Sequence, residues 1–195
     1  MDWSLPTSDR YEEIRAAVAD LIEDWGITAY PFSIWSLLKK MGIRTTRYSS
    51  LPENLAIQLR LYWPDALTIY PPDFNPAKTI IFYNDAQDRE HIRFTLAHEL
   101  AHLVLMHPGT DEEVYEHEAD IFANYFLAPA PLVLRDSELD IESISYDFQV
   151  SHSCAWSVMD RARKRANYGP RAKTEYELRI LASCFLKGGG HLALV

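Results

Sequence analysis

Apolar residues return every three or four positions over 9–24 (DRYEEIRAAVADLIED), placing Tyr11, Ile14, Val18, Leu21 and Ile22 on one side of a helix. Ser8 and Asp9 offer caps ahead of that run and Gly26 stops it, so the spacing predicts a helix. The stretch PFSIWSLLKKMG (31–42) repeats the signature, with Pro31 suited to the first helical position and Gly42 to the residue just past the end. Together they predict a helical hairpin over 9–42. The period then changes. IRTTRYS (43–49), ALTIYP (66–71) and KTIIFYN (78–84) are short, rich in Ile, Thr and Tyr, and bounded by Pro, Asp and Asn, which predicts a small sheet within about 43–84. From Asp88 to His107 the helical period resumes, Pro108 and Gly109 break it, and a second helical run goes from Asp111 to about Ala128, before Pro129 and Pro131. The tail, about 140–187, is again helical in pattern, with breaks near Val150 and at Gly169-Pro170 and a short Gly188-Gly189-Gly190 turn.

These elements predict an α+β fold, mostly helical with a small sheet, and a length of 195 residues suits one domain over 1–195. Apolar residues at 48% and charged residues at 24% give the balance of a globular chain with a buried core. The start, MDWSLPTSDR, has neither a basic nor an apolar leader region, and no stretch reaches the roughly 18 apolar residues of a membrane span. The expectation is a cytoplasmic protein without a membrane partner. Cys154 and Cys184 lie far apart in helical segments, matching neither a disulfide framework nor zinc-ligand spacing. A net charge of −9 sets the summed field against nucleic acid, so any such contact has to be local. Nothing in the sequence sets the oligomeric state.

The chemistry sits in FTLAHELAHLVLMH, residues 94–107, where two histidines and a glutamate interrupt a greasy helix. His98 and His102, four apart, project from one helix face about one turn from each other, so both imidazoles can reach one metal ion. Glu99, turned by roughly 100° from His98, flanks that ion and can take a proton from the water it activates. This is the His-Glu-x-x-His arrangement of zinc proteases, with Zn2+ as the expected cofactor, although other first-row metals accept the same donors. The bland reading of the same residues is a pair of hydrogen-bonded helix histidines.

A catalytic zinc needs a third protein ligand. The next helix, EEVYEHEADIFANYFLAP, offers Glu116 and Glu118. Glu116 shares its side with Ala119, Ala123 and Leu127, and two alanines let helices approach closely; Glu118 falls almost opposite. Asp120, four residues after Glu116, can accept a hydrogen bond from a ligating imidazole and so orient it. Glu116 is therefore the expected ligand and Glu118 the alternative. A third histidine through a glycine-turned extension is absent, because Leu105 stands at the glycine position and Pro108 at the histidine position. His107 then reads as a helix C-terminal residue favoured by the dipole. His91, on the His98 face but roughly 10 Å earlier, is too far to bind the same ion; it and His152 are candidates for holding substrate or an oxyanion, and otherwise solvated side chains.

In these residues the chain resembles the ImmA/IrrE zinc metallopeptidases of bacteria and their mobile elements, through RFTLAHELAHLVLMH, EHEADIFANYFLAP and the preceding TIIFYND. The resemblance implies a minimal gluzincin-like, zincin-type fold with a small antiparallel β-sheet packed on the active-site helices. It implies ligands at His98, His102 and Glu116, a general base at Glu99 and an orienting carboxylate at Asp120. It also implies cleavage of a helix-turn-helix transcriptional repressor, releasing genes of a mobile element or a stress response, with the repressor supplying the DNA contact. Where many relatives have asparagine after the Glu-Ala pair, this chain has Asp120, and Leu127-Ala128-Pro129 replaces Leu-Met-Pro.

Two other readings stand beside the peptidase. One is a zinc-stabilised binding module that sequesters a regulator without cutting it, against which an intact Glu99 argues. The other takes IESISYDFQVSHSCAWSVMDRARKR (141–165) as a helix-turn-helix, with Ser153 and Trp156 near a groove and Arg161, Arg163, Lys164 and Arg165 on phosphates. Its turn lacks glycine and acidic residues crowd its first half, so direct nucleic-acid binding is not expected.

Overall fold

The structure, a computed structural model, describes residues 7–108, 112–167 and 174–185. The breaks expected at Gly109 and Gly169-Pro170, the start of the second run at Asp111, and the Gly188-Gly189-Gly190 turn lie outside the described residues. Two compact units divide the chain: Met1–Tyr11 with Ser33–Ala123, and Glu12–Phe32 with Asn124–Val195. Helices α1 (Ser8–Asp24) and α5 (Glu113–Leu127) each contribute to both.

The first unit also holds α2 (Ile34–Lys40), β1 (Arg44–Arg47), α3 (Glu53–Tyr62), β2 (Ala66–Ile69), β3 (Ile80–Tyr83) and α4 (Arg89–Val104). Helix α2 starts later than its sequence suggests, because the Ser33 hydroxyl caps it by accepting from the Ser36 N–H at 3.3 Å. Pro31 is thereby left ahead of the helix. Beyond its end Gly42 takes φ +82°, a conformation in which a side chain is strained. Helix α3 was not signalled by the pattern: it buries only Ala56 and Leu59 and leaves Leu55, Ile57, Leu61 and Tyr62 exposed.

The sheet corrects one expectation. Its order is β1-β3-β2, with β2 antiparallel to β3 but β1 parallel to it, Arg44 opposite Ile80 and Arg47 opposite Tyr83. The sheet is mixed because the path from β1 to β3 contains both α3 and β2, long enough for a crossover that a hairpin cannot make. Central β3 alternates, burying Ile81 and Tyr83. Helix α4 packs on β2 and β3, with Leu96 and Leu100 fully buried. A leucine so placed resists truncation to alanine by about 2–5 kcal/mol, so the helix carrying the polar residues is held by others.

The second unit contains α6 (Ala130–Asp136), α7 (Ile141–Phe148), α8 (His152–Asn167) and α9 (Glu175–Phe185), with α8 packed on α6 and α7 and α9 on α6. Asp140 caps α7 by accepting from the Ser143 N–H at 2.9 Å and from its hydroxyl at 2.8 Å. The turn to α8 lacks glycine, and Gln149 supplies the left-handed residue instead at φ 50°. An aromatic cluster links Tyr30 to Phe32 and Phe148, and Phe32 to Phe126. No described helix is long and apolar enough to cross a membrane.

Candidate metal centre

Helix α4 presents His98 and His102 one turn apart, and α5 brings Glu116 to the same point. His98 Nε2 lies 3.1 Å from Glu116 Oε2 and 3.1 Å from His102 Nε2, and His102 Nε2 lies 3.5 Å from Glu116 Oε1. The two imidazole nitrogens and the two carboxylate oxygens that face them thus stand 3.1–3.5 Å apart. Ligands about 2.0–2.2 Å from a tetrahedral zinc stand roughly 3.3–3.6 Å apart, so both the spacing and the imidazole and carboxylate donor set fit such an ion.

Each histidine is aimed by what its other nitrogen does. His98 Nδ1 is 2.9 Å from Asp120 Oδ1, and since a carboxylate only accepts, Nδ1 carries the hydrogen and Nε2 is turned to the cluster. His102 is aimed through a longer relay. Glu118 Oε2 accepts from His107 Nε2 at 3.0 Å, which leaves His107 Nδ1 to accept from His102 Nδ1 at 3.0 Å. Arg10 anchors the relay, donating Nε to Glu118 Oε1 at 2.9 Å and Nη2 to Oε2 at 2.6 Å. His107 and Glu118 are only 1% and 5% exposed. The α4 terminus explains this: the helix ends at Val104, Met106 takes φ 54°, and the His107 N–H donates back to the His102 carbonyl at 3.0 Å, folding the ring under the helix.

The electrostatics divide the two imidazoles. Burial works against charge at His98, yet Asp120 and Glu116 outweigh it and push its pKa up to about 10. His102 is pushed down to about 4 by burial and by the charge on His98. The hydrogen bond from His98 holds the Glu116 carboxyl below its ordinary value. Glu99 is raised by burial, with the His98 charge acting against the rise. A cation held by His98, His102 and Glu116 would replace the proton on the His98 nitrogen that faces Glu116.

Glu99 opens with His98, Glu116 and Asp120 onto a cleft of about 310 Å³ whose far rim is the Tyr62–Ala66 segment. His91 stands at the same cleft, its Nε2 2.8 Å from Asp65 Oδ1. Glu118 does not join the donor cluster; its oxygens are taken by Arg10 and His107. His152 is the exposed first residue of α8 in the second unit. The residues missed from sequence are Arg10 and His107. A histidine between a helix end and a proline carries no signal of a buried partner, and Arg10 is distant from both in the chain.

An α+β domain with two histidines one turn apart, a third donor from the following helix and a carboxylate in the adjoining cleft has the make-up of a metal-dependent hydrolase. The chain belongs to the M78 family of peptidases, whose family model, described as the IrrE N-terminal-like domain, matches residues 39–156. That span contains all of α4 and α5. The family is of metallopeptidase type, and the His98, His102 and Glu116 cluster is compatible with the metal this implies. No curated protein matches the chain.

Proposed function

We propose that this protein is a zinc-dependent endopeptidase of the cytoplasm whose substrate is another protein, a helix-turn-helix transcriptional repressor. The observation that carries the reading is the convergence of His98 Nε2, His102 Nε2 and a Glu116 carboxylate oxygen within 4.8 Å of one another beside Glu99. His98, His102 and Glu116 hold the metal, aimed by Asp120 and by His107. A metal bound there acts as a Lewis acid on the water and on the scissile carbonyl. Glu99 receives the proton that the water gives up as its oxygen bonds to the carbonyl carbon, then delivers it to the amine nitrogen as the C–N bond breaks. Burial raises the Glu99 carboxyl and so strengthens it as the base that takes the proton from water in the first step.

Two features support an extended segment of protein as substrate. Strand β2 is an edge, paired only with β3 among the described residues, and Ala66 at its start lines the cleft, so a peptide added along β2 runs past Glu99. Beside it, Leu61, Tyr62 and Trp63 at the end of α3 are 72%, 68% and 45% exposed, an apolar surface suited to a protein partner.

Glu99→Gln should keep the metal, measured by elemental analysis, and lose cleavage by at least roughly 100-fold. Co-expression of wild type with each neighbouring helix-turn-helix protein should yield a fragment from one of them that is missing with Glu99→Gln. A metal-loaded Glu99→Gln that cuts as fast as wild type removes Glu99 from the chemistry, and no wild-type-dependent fragment from any of them rejects the repressor as substrate.

A further inference from the structure

The second unit holds a half-open cavity of about 480 Å³, lined by Arg15, Tyr125, Arg161, Arg165, Thr174 and Tyr176 among others, all within that unit. Its cations are not alike. Arg15 pairs with Glu12 at 2.8 Å, Lys164 with Asp160 at 2.6 Å, and Arg165 with Glu177 through two bonds of 2.6 Å. Among the described residues, Arg161 has no such carboxylate, and its buried Nη2 has no hydrogen-bond partner. The Tyr125 hydroxyl and Thr174 Oγ1, in the same cavity, are buried without a partner as well.

Buried polar groups are nearly always satisfied, and a buried charge left unpaired is among the costliest exceptions. Three in one cavity therefore describe a missing counterpart, and its chemistry can be read from them. All three can donate, and the guanidinium cannot accept. Burial disfavours the charge on Arg161 and raises the Tyr125 phenol, so the phenol keeps its proton and remains a donor. The counterpart is rich in acceptors and negatively charged. The rings of Tyr125 and Tyr176, edge to face at 6.4 Å, give the cavity an apolar wall, and its volume falls in the range of small-molecule sites.

We propose that this cavity binds a small acidic molecule whose carboxylate or phosphate pairs with Arg161 and accepts from Tyr125 and Thr174. The site is separate from the metal centre, whose residues all belong to the first unit, and it does not depend on the peptidase reading. The test uses the full chain with inorganic phosphate, AMP and succinate as probes, read by thermal shift and calorimetry. At least one probe should raise the melting temperature of wild type, with phosphate and AMP against succinate deciding between the two anion types. Arg161→Gln should weaken that binding by at least about 10-fold, the scale of a charge-assisted hydrogen bond. Arg163→Gln, which removes the same charge from α8 outside the cavity, should leave it unchanged. Should Arg161→Gln fail to fold, Tyr125→Phe, which deletes only the hydroxyl, should show the weakening instead. No stabilisation by any of the three probes, or equal binding in wild type and the cavity variants, overturns the proposal.

Discussion

Glu116 and Glu118 stand two positions apart on one helix and have opposite environments, one half-exposed beside two histidines and one buried under an arginine and a third histidine. Two residues apart on a helix is about 200° of rotation, which sets the two carboxylates on nearly opposite faces. Neither spacing nor composition could reveal that Glu118 reaches the cluster indirectly, through His107. Groups that hold the far nitrogen of a ligating histidine typically contribute 10–100-fold in metal affinity. His107→Phe, which keeps a ring but removes both nitrogens, should therefore weaken metal binding by roughly that factor in competition with a chelator. Glu116→Ala, which removes a proposed ligand outright, should fall further. Equal affinity in His107→Phe and wild type would mean that His102 needs no such support.

Among the elements, those with a long helical run between clear breakers were legible. Helix α1 follows its period and the α4–α5 pair is set off by the breakers Pro108 and Pro129, while α3 escaped because it is short, buries only Ala56 and Leu59 and turns most of its apolar residues outward. Parallel pairing of β1 was equally hidden, since strand direction depends on a crossover that no local pattern encodes. The start of α7 is set by a charge. Asp140 is held below its ordinary carboxyl value by the Ser143 N–H and hydroxyl, so the cap contributes stability that is fully present above the unfolded carboxyl range and is lost as pH falls through the folded value. Asp140→Asn preserves a capping oxygen without the charge. Its melting temperature should lie below that of wild type at neutral pH, and the gap should close on acidification below the ordinary carboxylate range. A gap that does not change with pH would mean that the carboxylate's charge has no part in the cap.

For the whole molecule, a net charge of −9 and the fate of the one basic run agree. Arg163 donates to the Leu139 carbonyl at 2.6 Å, Lys164 and Arg165 are paired, and Arg161 lines the cavity, so α8 spends its cations inside its own unit. A metal at the proposed centre would belong to this scale too, because its donors come from both α4 and α5. A ligand bound only by the folded state at a thousandfold excess over its Kd adds about 4 kcal/mol. For a chain of this length that is roughly 10 °C in melting temperature. Zinc should raise Tm by an amount of this order and a chelator reverse it, with Glu116→Ala blunting both; a Tm indifferent to zinc would remove the ion from the proposed centre. Edge strand β2 has a further consequence. A strand of four residues offers its guest main-chain partners that every polypeptide possesses, and a helix cannot accept them, because its own amides are already engaged. On the proposed reading, a well-folded target is protected by its own stability, and the cut falls in a linker or a locally melted stretch. The trigger for cleavage can then lie in the target, in whatever loosens it.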